Sequence, residues 1–276
     1  MRCDDGPVRR RPFLVAVAAA LCIPAAGCGD QVGESVAGEP GPPPAELRVE
    51  VVAVHPHDTD AFTQGLEVDG GELLEGTGRE GHSWVAAGSV DGGVERTRVH
   101  LPDDLFGEGL TVAGDTVWQL TWQNGVALAR DRDDLAERDR VEYDGEGWGL
   151  CAQSDRLVMS DGSAELTFRD RDTFAELGRV TVHREGRAVS RLNELECTDD
   201  GAVYANVWQT DEIVRIDPQS GRVTARIDAG ALREQLTAEQ REGIDVLNGI
   251  AHLPGTDRFL VTGKYWPKLF EVRFVS

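Results

Sequence analysis

The chain has 276 residues, 49 of them acidic against 28 basic, and its formal charge of −21 argues against nucleic acid, whose phosphates it would meet against its own field. That charge is either a solvated acidic surface or a field that draws in cationic peptide amines. With 40% hydrophobic residues, the roughly 230 residues that follow an N-terminal leader suffice for one large domain with a full core.

The leader comes first. Arg9, Arg10 and Arg11 precede an apolar run from Phe13 to Ile23 that is too short to span a bilayer and is flanked as an export signal is. Arg10-Arg11-Pro12-Phe13-Leu14 fits a twin-arginine signal, and a general secretory signal fits the same residues. Ala25-Ala26-Gly27-Cys28 matches a lipoprotein cleavage box, with Ala25 where Leu is usual. Cys28 is then the acylated residue and lipid ties the protein to a membrane; simple secretion is the alternative. The expected layout is a signal over 1–28, a flexible tether rich in Gly, Pro and Glu over 29–45, and a folded domain over 46–276. That domain works outside the cytoplasm.

From Gln64 onward one slot recurs, a polar or aromatic residue just before a Gly-Leu-like pair. It reads Gln64-Gly65-Leu66, Glu108-Gly109-Leu110, Trp148-Gly149-Leu150, Asn193-Glu194-Leu195 and Asn248-Gly249-Ile250. The interval of about 40–55 residues suits the blades of a β-propeller rather than helical repeats. The segments between slots, such as 117–122, 125–130, 156–160 and 202–208, are short, β-prone and bounded by Asp-Gly or Pro-Gly turns. The predicted fold is an all-β, five-bladed β-propeller. Asp228 to Glu242 breaks the strand grammar: Leu232, Leu236 and Ala238 share a face and Thr237 is followed by Glu239, which predicts a short helix pair before the last blade, placed as a lid or rim.

In a propeller the first strand of each blade lines the central channel, so the five slot side chains are expected to meet on one axis. A second strand returns to the same mouth about twelve to fourteen residues later, bringing Gly78, Trp122, Gly162, Trp208 and Lys264. Trp122 and Trp208 taken singly read as core aromatics; crowded with Trp148, Phe62 and Phe106 around the slots, they read as the walls of a pocket. Cys151 and Cys197, just past the Leu of neighbouring slots, are either a disulfide or two buried thiols. The six histidines, His55, His57, His82, His100, His183 and His252, are scattered and read as surface or strand residues rather than ligands.

The chemistry follows from the slot. A carboxylate enclosed by Phe106, Trp122 and Trp148 has its pKa raised by desolvation, which suits Glu108 to hold and return a proton near neutral pH. Lys264 offers a fixed positive charge and Asn193 an amide donor, the parts needed to stabilise a developing oxyanion. No Gly-x-Ser-x-Gly elbow, His-Glu-x-x-His, Cys-x-x-Cys or phosphate loop occurs. Acyl transfer without a protein nucleophile or a catalytic metal is the expected class.

Phe62-Thr63-Gln64-Gly65-Leu66, Phe106-Gly107-Glu108-Gly109-Leu110-Thr111, Leu120-Thr121-Trp122, Gly147-Trp148-Gly149-Leu150, Leu192-Asn193-Glu194-Leu195-Glu196, Asn206-Val207-Trp208 and Leu247-Asn248-Gly249-Ile250 resemble, in order, the plant and bacterial type of glutaminyl-peptide cyclotransferase. The resemblance implies a five-bladed propeller that converts the N-terminal glutamine of peptides and proteins to pyroglutamate, releasing ammonia. It implies Glu108 as general acid and base, Lys264 and Asn193 holding the γ-amide oxygen, and Gln64 binding substrate. Phe62, Phe106, Trp122, Trp148 and Trp208 then shape the pocket. No cofactor is expected for catalysis; a structural calcium in the channel is the one metal considered. The expected protein is a monomer whose partners are peptides beginning with Gln. The rival readings are a non-catalytic extracytoplasmic ligand-binding propeller and a metal-dependent propeller lyase or lactonase.

Overall fold

The computed structural model describes residues 42–91 and 94–276; the expected signal over 1–28, Cys28 and most of the tether lie outside the described residues. Folding resolves into five four-stranded antiparallel units. The first runs through Thr63–Asp69, Glu72–Thr77, Trp84–Ser89 and Glu95–His100, and the second through Gly107–Ala113, Thr116–Thr121, Val126–Asp131 and Glu137–Glu142. The third is Leu150–Ala152, Leu157–Ser160, Glu165–Arg169 and Glu176–Thr181; the fourth is Leu192–Cys197, Val203–Val207, Glu212–Asp217 and Arg222–Asp228. The fifth joins Leu247–His252, Arg258–Gly263 and Lys268–Val275 to the strand Ala45–Pro56, which sets Val54 opposite Phe270. Ala45–Pro56 also pairs parallel to Arg222–Asp228, so the last two units share one sheet. The innermost strands touch in cyclic order and close a ring around a channel, which makes the molecule a β-propeller.

Burial grades outward from that ring. The inner strands are buried on both faces, whereas Glu95–His100, Glu137–Glu142 and Glu176–Thr181 are largely exposed. These outer strands are charged, with Arg98–Glu95, Arg140–Glu137 and Arg179–Glu176 pairs three residues apart. Charge along an exposed edge discourages pairing with another chain, and the apolar alternation continues only on the side facing the neighbouring unit.

The slots coincide with breaks in the ladder. Register shifts fall between Thr63 and Gly65, Gly107 and Leu110, Leu192 and Leu195, and Leu247 and Ile250. A bulge re-aims the side chain it carries, so Gln64, Glu108 and Asn193 leave the strand's regular alternation and turn into the hub. The small residue beside each bulge lets the units close on one another. A Cβ on Gly65 would sit 2.6 Å from the Leu110 nitrogen, and one on Gly109 would sit 2.6 Å from the Trp148 carbonyl oxygen. Where the fourth unit has Glu194 instead of Gly, its carboxylate crosses the hub and accepts from the Leu66 and Ile250 amides, at 3.2 and 2.7 Å. One side chain thereby ties three units together.

The expected helix pair forms, at Ala231–Glu234 and Ala238–Arg241. Leu232 of the first helix and Leu236 after it pack into the core shared by the last two units, with Leu247 and Trp266, while the second helix buries no residue. The second helix starts with a capping box between Thr237 and Gln240. His57 is no surface residue: its side chain is 4% exposed, and its ring nitrogens bond the Trp266 carbonyl and the Glu75 carboxylate. Thr63 donates to the same carboxylate, so this group joins the last unit to the first. The question of the cysteines is settled by a disulfide between Cys151 and Cys197, which links the inner strands of the third and fourth units.

Burial of acids in the channel sets a pH dependence. Desolvation pushes the Glu67 carboxyl up to about 8 against the Thr111 hydroxyl bond, with the Asp69 charge adding and Arg132 opposing. An acid whose pKa is raised by folding contributes stability below its unfolded value, and that contribution is lost as pH rises through the folded value. The urea midpoint is therefore expected to fall between about pH 5 and about pH 8. Glu67→Gln keeps an acceptor for Thr111 and is expected to flatten that fall; equal slopes in the two proteins would exclude Glu67 as its source.

Candidate active site

One cavity of about 380 Å³ opens at the hub, and all nine side chains singled out from the sequence line it. Gln64, Glu108 and Asn193 come from the bulges, and Trp148 stands just ahead of Leu150–Ala152. Trp122, Trp208 and Lys264 leave the ends of second strands, while Phe62 and Phe106 precede first strands. The aromatic wall is continuous in two arcs. Phe62 meets Phe106 edge-on at 6.2 Å and Phe106 meets Trp122 at 5.4 Å; Trp148 and Trp208 form a second edge-on pair at 5.5 Å. Gly162 seats one of these rings. Its φ is +80°, and a Cβ there would lie 2.7 Å from Trp148 Cζ2, so only glycine fits both the backbone and the indole.

The polar groups are arranged across blades. Gln64 Nε2 donates to Glu108 Oε1 at 3.0 Å, and Asn248 Nδ2 donates to the Thr63 carbonyl at 3.0 Å and to Gln64 Oε1 at 3.4 Å. Asn248, expected among the converging slot residues, does not line the cavity and instead orients Gln64 from behind. Ser160 Oγ accepts from the Gly149 amide and donates to the Asn193 carbonyl, which fixes the backbone beneath Trp148 and Asn193. Asn193 Oδ1 is buried with no hydrogen-bond partner among the described residues.

Glu108 and Lys264 are 4% and 5% exposed. Burial pushes the Glu108 carboxyl well above the usual range; Lys264 opposes the shift and Glu146 adds to it. Burial likewise lowers the Lys264 ammonium, against the charges of Glu108 and Asp245. The ammonium leans on the Phe62 ring, whose centroid is 4.4 Å from Nζ. No ion pair joins Glu108 to Lys264 among the described residues, which leaves room between them.

Sequence reasoning missed Gln209, Asp245 and Val246, which also line the cavity. Gln209 has a φ of +63°, and a loop residue turned by an unusual dihedral has no periodicity to betray it. Asp245 is held by paired backbone bonds between residues 245–246 and Lys264.

Fold and pocket together define a propeller whose hub holds a buried acid and a buried base among aromatic walls. The glutamine cyclotransferase family profile matches residues 18–274, and the chain belongs to that family. It is 38% identical over 227 residues to the glutaminyl-peptide cyclotransferase of Arabidopsis thaliana, covering 82% of this chain and 71% of that one. The crystal structure of Myxococcus xanthus glutaminyl cyclase superposes with a TM-score of 0.76 at 38% identity, covering 84% of this chain and 98% of that chain.

Proposed function

We propose that this chain is a glutaminyl-peptide cyclotransferase that closes N-terminal glutamine to pyroglutamate and releases ammonia. The observation that carries the reading is Glu108 and Lys264 facing one cavity, each buried and neither neutralised by a direct partner. A binding scaffold gains nothing from that desolvation cost, whereas proton transfer and charge stabilisation require it.

The substrate's α-amine, of pKa about 8, reacts as the free base, and its nitrogen gives up one proton as it attacks the γ-carbonyl carbon. Glu108, made more basic by burial, accepts that proton. Negative charge passes to the former amide oxygen, where Lys264 and the Asn193 side-chain amide stabilise it. The carbonyl reforms, the C–N bond to the amide nitrogen breaks, and Glu108 returns the proton so that ammonia leaves. Gln64 holds Glu108 in line, and the aromatic walls keep water from competing for the carbonyl.

The reading includes no catalytic cofactor. A structural calcium in the channel, held by carbonyl, amide and carboxylate oxygens, is the one metal the reading includes. The leader-like residues support an extracytoplasmic protein, either lipid-anchored through Cys28 or secreted, acting as a monomer on peptides that begin with Gln. The test is ammonia release from Gln-Gln dipeptide by the purified domain with excess chelator present. Turnover unaffected by the chelator is expected; no ammonia at all would reject the assignment, and activity restored by zinc would point to other chemistry.

A further inference from the structure

We propose that Glu146 is a positioning residue for the substrate pocket, acting as a clamp that fixes Trp122 and Trp148 at the angle that receives the substrate's glutamine end. This rests on the activity proposed above. Glu146 lies outside the cavity, on the loop between Glu137–Glu142 and Leu150–Ala152. One of its oxygens, Oε2, accepts from both indoles, Trp122 Nε1 and Trp148 Nε1, each at 2.9 Å; Oε1 accepts from Gln123 Nε2 at 3.0 Å.

Two ring N–H groups converging on a single oxygen fix the rings relative to each other, which neither bond would do alone. The consequence for the pocket is chemical as well as geometric. With their N–H groups drawn off to Glu146, these two walls offer the substrate apolar ring surface rather than donors. Glu108, Gln64, Asn193 and Lys264 are then left to read the amide and amine deeper in the cavity. The clamp also spans two blades, since Trp122 follows a strand of the second unit while Trp148 opens the third. Partial burial raises the Glu146 carboxyl, but the bonds from Trp148, Gln123 and Trp122 outweigh it and hold the group below its ordinary range. The acceptor therefore stays ionised at neutral pH, when charge-assisted bonds are strongest.

Steady-state kinetics and near-UV circular dichroism of Glu146→Ala and Glu146→Gln test the clamp. Glu146→Ala is expected to raise KM for Gln-Gln about tenfold while kcat changes less than about threefold, and Glu146→Gln, which keeps one acceptor, to raise KM about threefold. The dichroism of the Trp148–Trp208 pair, with centroids at 5.5 Å, is expected to lose intensity at an unchanged melting temperature. Parental KM in both variants, or a raised KM with unaltered dichroism, would overturn the clamp. If Glu146→Ala fails to fold, Glu146→Gln decides on the same readouts. If the parent protein releases no ammonia, the proposed activity falls by itself, and the dichroism then decides the clamp.

Discussion

Glu108→Gln is expected to lower kcat for ammonia release by about 10²- to 10⁴-fold, the range that a positioned acid–base group supplies. The substitution isolates proton transfer because it leaves shape almost untouched. Glutamine at this position still accepts from Gln64 Nε2, and it fits the same walls. Stability should not suffer. Burial holds the Glu108 carboxyl well above its ordinary pKa, so above about pH 4.5 the folded state bears a desolvation cost that a neutral amide lacks. The melting temperature at pH 7 is expected to equal or exceed the parent's. Near-parental turnover in this variant would remove Glu108 from the chemistry.

Lys264→Met carries the second large effect, a loss of about 10²- to 10³-fold in kcat if the ammonium serves the oxyanion as other oxyanion donors do. It also has a signature in pH. The Lys264 charge counteracts the burial of Glu108, so its removal lets the Glu108 pKa climb further, and the rising limb of kcat/KM is expected to move to higher pH. A variant that lost rate with an unmoved limb would show that Lys264 and Glu108 are not coupled, whatever else the lysine does.

Much of this architecture was legible in the chain because propeller blades repeat. The slots at Gln64, Glu108, Trp148 and Asn193 announced themselves by spacing, and so did the returning Trp122, Trp208 and Lys264. Side-chain direction was less legible, since the slots are bulges rather than regular strand positions. Asn248 occupies the same sequence slot as Asn193 yet supports Gln64 from behind the wall. Glu194 looked like an imperfect copy of a glycine, and its role appears only when Leu66 and Ile250 are brought to it from other units. Asp245 and Gln209 sit in loops whose course depends on hydrogen bonds and dihedrals with no sequence period. His57 was passed over because a single histidine just past a strand end carries no sign of a carboxylate partner eighteen residues away.

The covalent bond from Cys151 to Cys197 staples the blade that presents Trp148 to the blade that presents Asn193. Such bonds endure where thiols are not kept reduced. The distance between a pocket wall and its amide donor is thus held by the chemistry of the surroundings as well as by packing, and an enzyme matured among reductants would carry the same sequence with a looser grip on its substrate.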